Sequence, residues 1–307
     1  MTEFRRQEKL MGCKFEFIVC SDDQKFAEEQ LQIAIGEMVM IERNLSEYIE
    51  SSYTSAINRS AGKGSVAVPE ELYSLVTRCI KISELTQGAF DITTGKLKKL
   101  YNFSRESINL PSPDLIQQAL EVTGYRYIHT AKNNSLYLTK QDVGISFASI
   151  GKGYAADRVK KRWEENGVKS GVINASGDLC VIGVHPDGSP WKAGIPDPEK
   201  SGEMLLFIPV THAIATSGDY EQYFEIEGRR YSHTINPVTG VPVSGIKSVS
   251  VTGRQAELCD ALATAITVMG VEVGLHFVSQ LPGIHCLIID EDNRLHFTEN
   301  ITFEKNN

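Results

Sequence analysis

The run ELCDALATAITVMG (257–270) sets Leu258, Ala261, Leu262, Ala265, Ile266 and Met269 at helical spacing and leaves Asp260, Thr264 and Thr267 on a second stripe. Asp260 and Thr264 then point the same way. A carboxylate and a hydroxyl one turn apart are hard oxygen donors of the kind Mg²⁺ takes, water and phosphate completing its octahedron. A capped or solvated polar face is the other reading of the same pattern. In SFASIGKGYAAD (146–157), Lys152 sits among glycines at the mouth of a helical run, where backbone amides and an ammonium favour an anion. Gly153 follows Lys152, so this is no Walker loop, and a tight turn with a surface lysine fits equally. In YSHTINPVTGVP (231–242), His233 stands between Ser232 and Thr234 ahead of the turn formers Asn236, Pro237 and Gly240. An imidazole there suits a general base, and suits an ordinary structural hydrogen bond as well. TSGDY (216–220) and NASGD (174–178) read as Gly turns beside polar groups, and QGAFDITTG (87–95) as a helix end that starts an extended segment.

These residues need elements to hold them. CKFEFIVC fits a strand, and Ala27, Leu31, Ala34, Ile35, Met38, Ile41 and Leu45 trace a long helix after it. Pro69, Glu70 and Glu71 open a second helix that Gly88 closes, and GYAADRVKKRWEENG gives a third that Gly167 ends. SLYLTKQDVGISFA reads as two short strands, and GIHCLIIDEDNRLHFT as a closing hairpin that turns at EDNR. Between them GVINASGDLCVIGV, EMLLFIPVTHAIATSG, YEQYFEIEGRRYSHTI and SGIKSVSVTG are rich in strand formers. Strands arrive in runs and not in strict alternation with helices. That pattern predicts an α/β (α+β) fold over 1–307: one domain with a mixed, largely antiparallel sheet packed by helices.

The 307 residues are 41% hydrophobic and 23% charged, as in a soluble globular protein, with a formal net charge of −8. No basic run marks a nucleic-acid or membrane-surface partner. The six cysteines are scattered without zinc-finger spacing and read as buried thiols in a reducing compartment. No long apolar run precedes Cys13, so no secretory signal, lipidation signal or integral membrane segment is expected in the sequence given. The expected location is cytoplasmic, or periplasmic or membrane-anchored if a native export segment was removed.

Taken in order, MGCKFEF, LSEYIESSYTSAINRSAG, TQGAFDITTGKL, SIGKGYAADRV, NASGDLCVIG, PWKAGIPDP, AIATSGDYEQYF, YSHTINPVTGVPV and ELCDALATAITVMG resemble the ApbE-like FAD:protein FMN transferases. The resemblance runs from Met11 to Gly270. It implies a Mg²⁺-dependent transfer of the FMN half of FAD to a Thr or Ser hydroxyl of a target protein as a phosphoester, with release of AMP. It implies Asp260 and Thr264 as metal ligands beside a main-chain oxygen of Ser149, and His233 as the base on the acceptor hydroxyl. FAD would be held by Met11, Tyr48, Ala89, Phe90, Asp91, Ser146, Lys152 and Ile235. Three positions depart from the family pattern: Ser146 and Asn236 each stand where an Asp is usual, and Ser176-Gly177 replaces Gly-Gly. Mg²⁺-dependent hydrolysis of FAD to FMN and AMP, and non-catalytic FAD binding, are the alternatives.

Overall fold

Alternation along the strands decides the layers. In the second strand, Phe15, Phe17 and Val19 belong to one buried cluster while Ile18 and Cys20 belong to another, as successive side chains of a pleated strand require. A strand of this kind must be covered on both faces. The computed structural model describes residues 1–101, 110–200, 202–218, 223–226 and 229–306, and in it that covering is present.

Strands β1 (Thr2–Leu10) and β2 (Cys13–Ser21) form a hairpin that leads into helix α1 (Gln24–Leu45), whose first turn is capped by Asp23. Helix α2 (Tyr53–Arg59), strand β3 (Val66–Ala67), helix α3 (Glu70–Leu85) and short helix α4 (Gly95–Leu100) follow. Next come α5 (Pro113–Leu120), β4 (Ile128–Ala131), β5 (Ser135–Leu138), α6 (Gly151–Glu165), β6 (Gly171–Ala175) and β7 (Asp178–Ile182). The chain continues through β8 (Trp191–Pro196), β9 (Met204–Val210), β10 (Ala213–Gly218), β11 (Tyr223–Ile226) and β12 (Arg229–Ser232). It closes with β13 (Ile246–Gly253), α7 (Ala256–Met269), α8 (Val271–Ser279), β14 (His285–Asp290), β15 (Leu295–Phe297) and β16 (Glu304–Lys305).

The central sheet has eight strands in the order β1-β2-β6-β7-β10-β13-β14-β15. One face packs on α1, α6 and α7; the other is covered by the small sheet β16-β9-β8, through Trp191, Ile195, Leu206, Ile208 and Val210. The α+β class stands, and every ladder among the described residues is antiparallel, so the sheet is not mixed.

Three local readings change. The second strand expected in SLYLTKQDVGISFA is absent: Val143, Ile145 and Phe147 are buried alternately, yet they have no ladder. The Asn58 amide bonds both backbone groups of Ile145, at 2.8 and 3.0 Å, in place of a neighbouring strand. QGAFDITTG does not run extended after Gly88. Asp91 accepts from the Thr93 amide at 2.8 Å, and the resulting turn feeds α4. GKG is not a tight turn but the first turn of α6.

Gly153 has no side chain because α6 and α7 cross there. A Cβ on it would lie 2.8 Å from the Glu257 nitrogen and closer still to the Ala256 carbonyl, contacts that real side chains do not make. Gly153→Ala is therefore expected to destabilise by about 3 kcal/mol through overpacking, read as a fall in melting temperature. Gly36→Ala is the control, since an added Cβ in α1 meets nothing within 4 Å, and a small gain is expected.

Candidate active site

The α6–α7 crossing is also where the charges gather. Each helix lacks a cap of its own and receives one from the other. Asp157 of α6 accepts the Ala256 and Glu257 amides that open α7, both at 2.9 Å, and Asp260 of α7 accepts the Gly153 amide in the first turn of α6 at 3.1 Å. The donors left over at a helix start are thus satisfied across the crossing. The exchange occupies Asp260 Oδ2.

Asp260 is buried, and burial together with the nearby Asp178 pushes its carboxyl up to about 7, against the pull of Lys152 and Lys98. A buried carboxylate held so close to another acid is stabilised by a cation. Thr264 is half-buried one turn along the same helix, and Ser149 lies in the turn just before α6. A carboxylate, a hydroxyl and a main-chain carbonyl are a donor set that suits Mg²⁺, which takes a few protein oxygens and keeps its remaining positions for water or phosphate. Among the described residues no three His, Cys, Asp or Glu side chains converge as a metal site. Thr267 is no part of the set, because its hydroxyl donates to the Ala263 carbonyl at 2.8 Å.

Lys152 reaches from α6 to Asp178 at 2.7 Å. Burial works against its charge, but Asp178 and Asp260 outweigh it and hold the ammonium well above its ordinary range. Asp178 is 2% exposed and also accepts the Thr216 amide at 2.8 Å; Thr216 in turn shares a 2.9 Å hydroxyl contact with Ser250. NASGD is therefore more than a turn. Ser176 and Gly177 reverse the chain, at φ 55° and 104°, and Asp178 begins β7 as the anchor for Lys152. Of TSGDY, Thr216 to Gly218 end β10, and residues 219 and 220 lie outside the described residues.

The expected cofactor residues fall into two kinds. Some can present a side chain. Tyr48 is 88% exposed, and Met11, at the tip of the β1–β2 hairpin with φ 51°, lies over Gly151 at the start of α6. The Ser146 hydroxyl donates to Glu47 at 2.7 Å, so a carboxylate stands beside the position where Ser146 replaces the usual acid.

Others are committed to the protein. Phe90 is fully buried, and both oxygens of Asp91 are taken, by the Thr93 amide and hydroxyl and by the Tyr125 amide. Ala89 and Ile235 are buried, the latter packed with Leu97, Tyr101 and Ala119. What these four positions offer a ligand is main chain.

His233 is half-buried on a loop that is fixed at several points. The Asn236 side chain accepts the Val238 and Thr239 amides at 2.9 and 3.2 Å, an Asx turn that needs no charge and so tolerates Asn in place of Asp. Gly240 sits at φ 72° with Leu97, Ile116 and Leu120 crowding its α-carbon, and its carbonyl accepts the Tyr101 hydroxyl at 2.8 Å. Helix α4 thus seats the histidine loop, and a Cβ added to its Gly95 would lie 4.0 Å from the Glu47 carboxylate.

Residues 11–288 match the family model for the ApbE family. The chain belongs to the ApbE family. It is 29% identical over 314 residues to the FAD:protein FMN transferase of Treponema pallidum, covering 95% of this chain and 86% of that one. It superposes on the crystal structure of the Thermotoga maritima ApbE protein with a TM-score of 0.89, at 32% identity and 97% coverage of both chains. On the flavinyl transferase ApbE of Pseudomonas stutzeri the TM-score is 0.84, at 28% identity over 97% of this chain and 94% of that one.

Proposed function

We propose that this ApbE-family chain, acting as one domain, is a Mg²⁺-dependent FAD:protein FMN transferase that modifies a Thr or Ser hydroxyl of a partner protein and releases AMP. The observation that carries this reading is the buried Asp260, one oxygen of which accepts the Gly153 amide, one helical turn from Thr264, in a chain whose relatives bear the name FAD:protein FMN transferase. Asp260, Thr264 and the Ser149 carbonyl would hold the ion. When bound, Mg²⁺ supplies charge neutralisation at the diphosphate and makes AMP a better leaving group.

The remaining chemistry falls to the chain. His233 takes the proton of the acceptor hydroxyl, whose oxygen attacks the FMN phosphorus; the bond from that phosphorus to the AMP oxygen breaks and AMP departs. Met11 and Tyr48 offer apolar and aromatic surface for the rings of FAD, and the backbone of 89–91 and Ile235 offers hydrogen-bonding groups. Lys152, paired with Asp178, tempers the two acids beside it and keeps further ammonium donors for FAD.

Incubation with FAD and Mg²⁺, with and without a flavin-accepting domain, tests the reading. A covalent mass gain of one FMN on the acceptor, with AMP appearing only when the acceptor is present, is expected. AMP release indifferent to the acceptor would make the chain a hydrolase, and FAD binding without turnover would make it a carrier.

A further inference from the structure

At the end of β10 away from the candidate active site, the sheet carries a second concavity. Thr211 and His212 join β9 to β10, and beside them β13 runs out at Gly253 and β14 starts at His285. These strand ends and residues 300–302 enclose a cavity of about 300 Å³. His212 stands four residues before Thr216, whose amide binds Asp178, a separation of about 13 Å at the rise of a β-strand. The cavity is therefore distinct from the metal and lysine positions.

Its lining divides by chemistry. Ile208, Val210 and Ile301, all buried, make an apolar floor. His212, Arg254 and His285 line it as well, and among the described residues no Asp or Glu does. In a chain with 39 acidic side chains against 31 lysines and arginines, a cavity bordered by bases alone favours a negative charge. None of these three side chains makes a hydrogen bond or ion pair among the described residues, so no protein acceptor competes for their donors. The local field already acts on His212: burial, Lys160 of α6 and Arg254 lower its pKa, against the opposite pull of Glu164.

The frame under these groups is fixed. Ala213 pairs with Gly253 and Thr252 with His285 in adjoining ladders, and the His212 carbonyl accepts the Val181 amide at 2.8 Å. A Cβ on Gly253 would lie 2.7 Å from Ile284 and 3.0 Å from Cys259, so the backbone just ahead of Arg254 is closely packed.

We propose that this cavity binds a small phosphate monoester, its phosphate among His212, Arg254 and His285 and its apolar body on Ile208, Val210 and Ile301. A guanidinium and two imidazoles from three separate segments offer donors around a three-oxygen anion, whereas the guanidinium fork alone satisfies a carboxylate. The volume is at the low end for small-molecule sites and suits a ligand of one ring.

Calorimetric titration of the full chain with phenyl phosphate, in EDTA and without FAD, is the test. One-site binding is expected, weakened about tenfold in Arg254→Gln and in His285→Gln by loss of one charge-assisted hydrogen bond, and unchanged in Lys152→Gln. Benzoate and inorganic phosphate, which lack the phosphate and the ring respectively, should each bind at least about fivefold more weakly than phenyl phosphate. No binding to the parent, parental affinity in both cavity variants, or a loss in Lys152→Gln in their place would overturn the proposal. Benzoate or inorganic phosphate binding as tightly as phenyl phosphate would overturn the ligand class. With neither FAD nor Mg²⁺ present, each of these failures leaves the FAD reading of the α6–α7 site standing. Matching melting curves for the variants keep a folding defect from imitating the expected result.

Discussion

Asp260→Asn is expected to abolish Mg²⁺-dependent transfer while the protein stays folded. Loss of an outer partner of a metal ligand costs about 10–100-fold, and removing the one carboxylate of the set costs more, so a fall beyond about 100-fold is expected. The amide oxygen of Asn can still accept the Gly153 amide, so the α6–α7 crossing persists. It also removes a buried charge from the neighbourhood of Asp178, and the melting temperature should hold or rise. Titration with Mg²⁺, followed by the shift in melting temperature, separates metal binding from chemistry. A midpoint equal to that of the parent would remove Asp260 from the metal site.

His233→Ala is expected to lower the rate of transfer by about 10²–10⁴-fold, the range of a positioned general base, with FAD affinity within about twofold of the parent. The separation follows from the loop: Asn236, Gly240 and Tyr101 hold its shape, and none of those bonds uses the imidazole. Single-turnover transfer to the acceptor, measured from pH 6 to 9, is the readout. A variant that retains full activity would leave the proton with another group.

Much of the fold is written in local periodicity. The stripe of α7 is legible residue by residue, and so are the hairpins β6–β7 and β14–β15, because each is set by neighbours in sequence. β1 is not legible: its side chains are charged or half-exposed on both faces of a sheet edge, so no alternation marks it. Residues 143–147 mislead in the opposite direction. They alternate as a strand does, but the partner of Ile145 is a side chain 87 positions away, which periodicity cannot report. The site divides in the same way. Asp260, Thr264 and His233 can be found from motifs, whereas Glu47 and Asp178 gain their meaning only from the groups they meet across the fold. A sequence shows each of these charges but not which of them face one another.

The exchanged caps of α6 and α7 tie the ends of two helices into one opening event. The amides of Gly153, Ala256 and Glu257 are all bound to carboxylates of the opposite helix, so neither first turn can fray without releasing its neighbour. Amide hydrogen exchange at these three positions should therefore proceed at a common rate, as a single cooperative unit. Asp260 then loosens only together with both helix starts, and a ligand that engages it slows exchange at backbone sites it never touches.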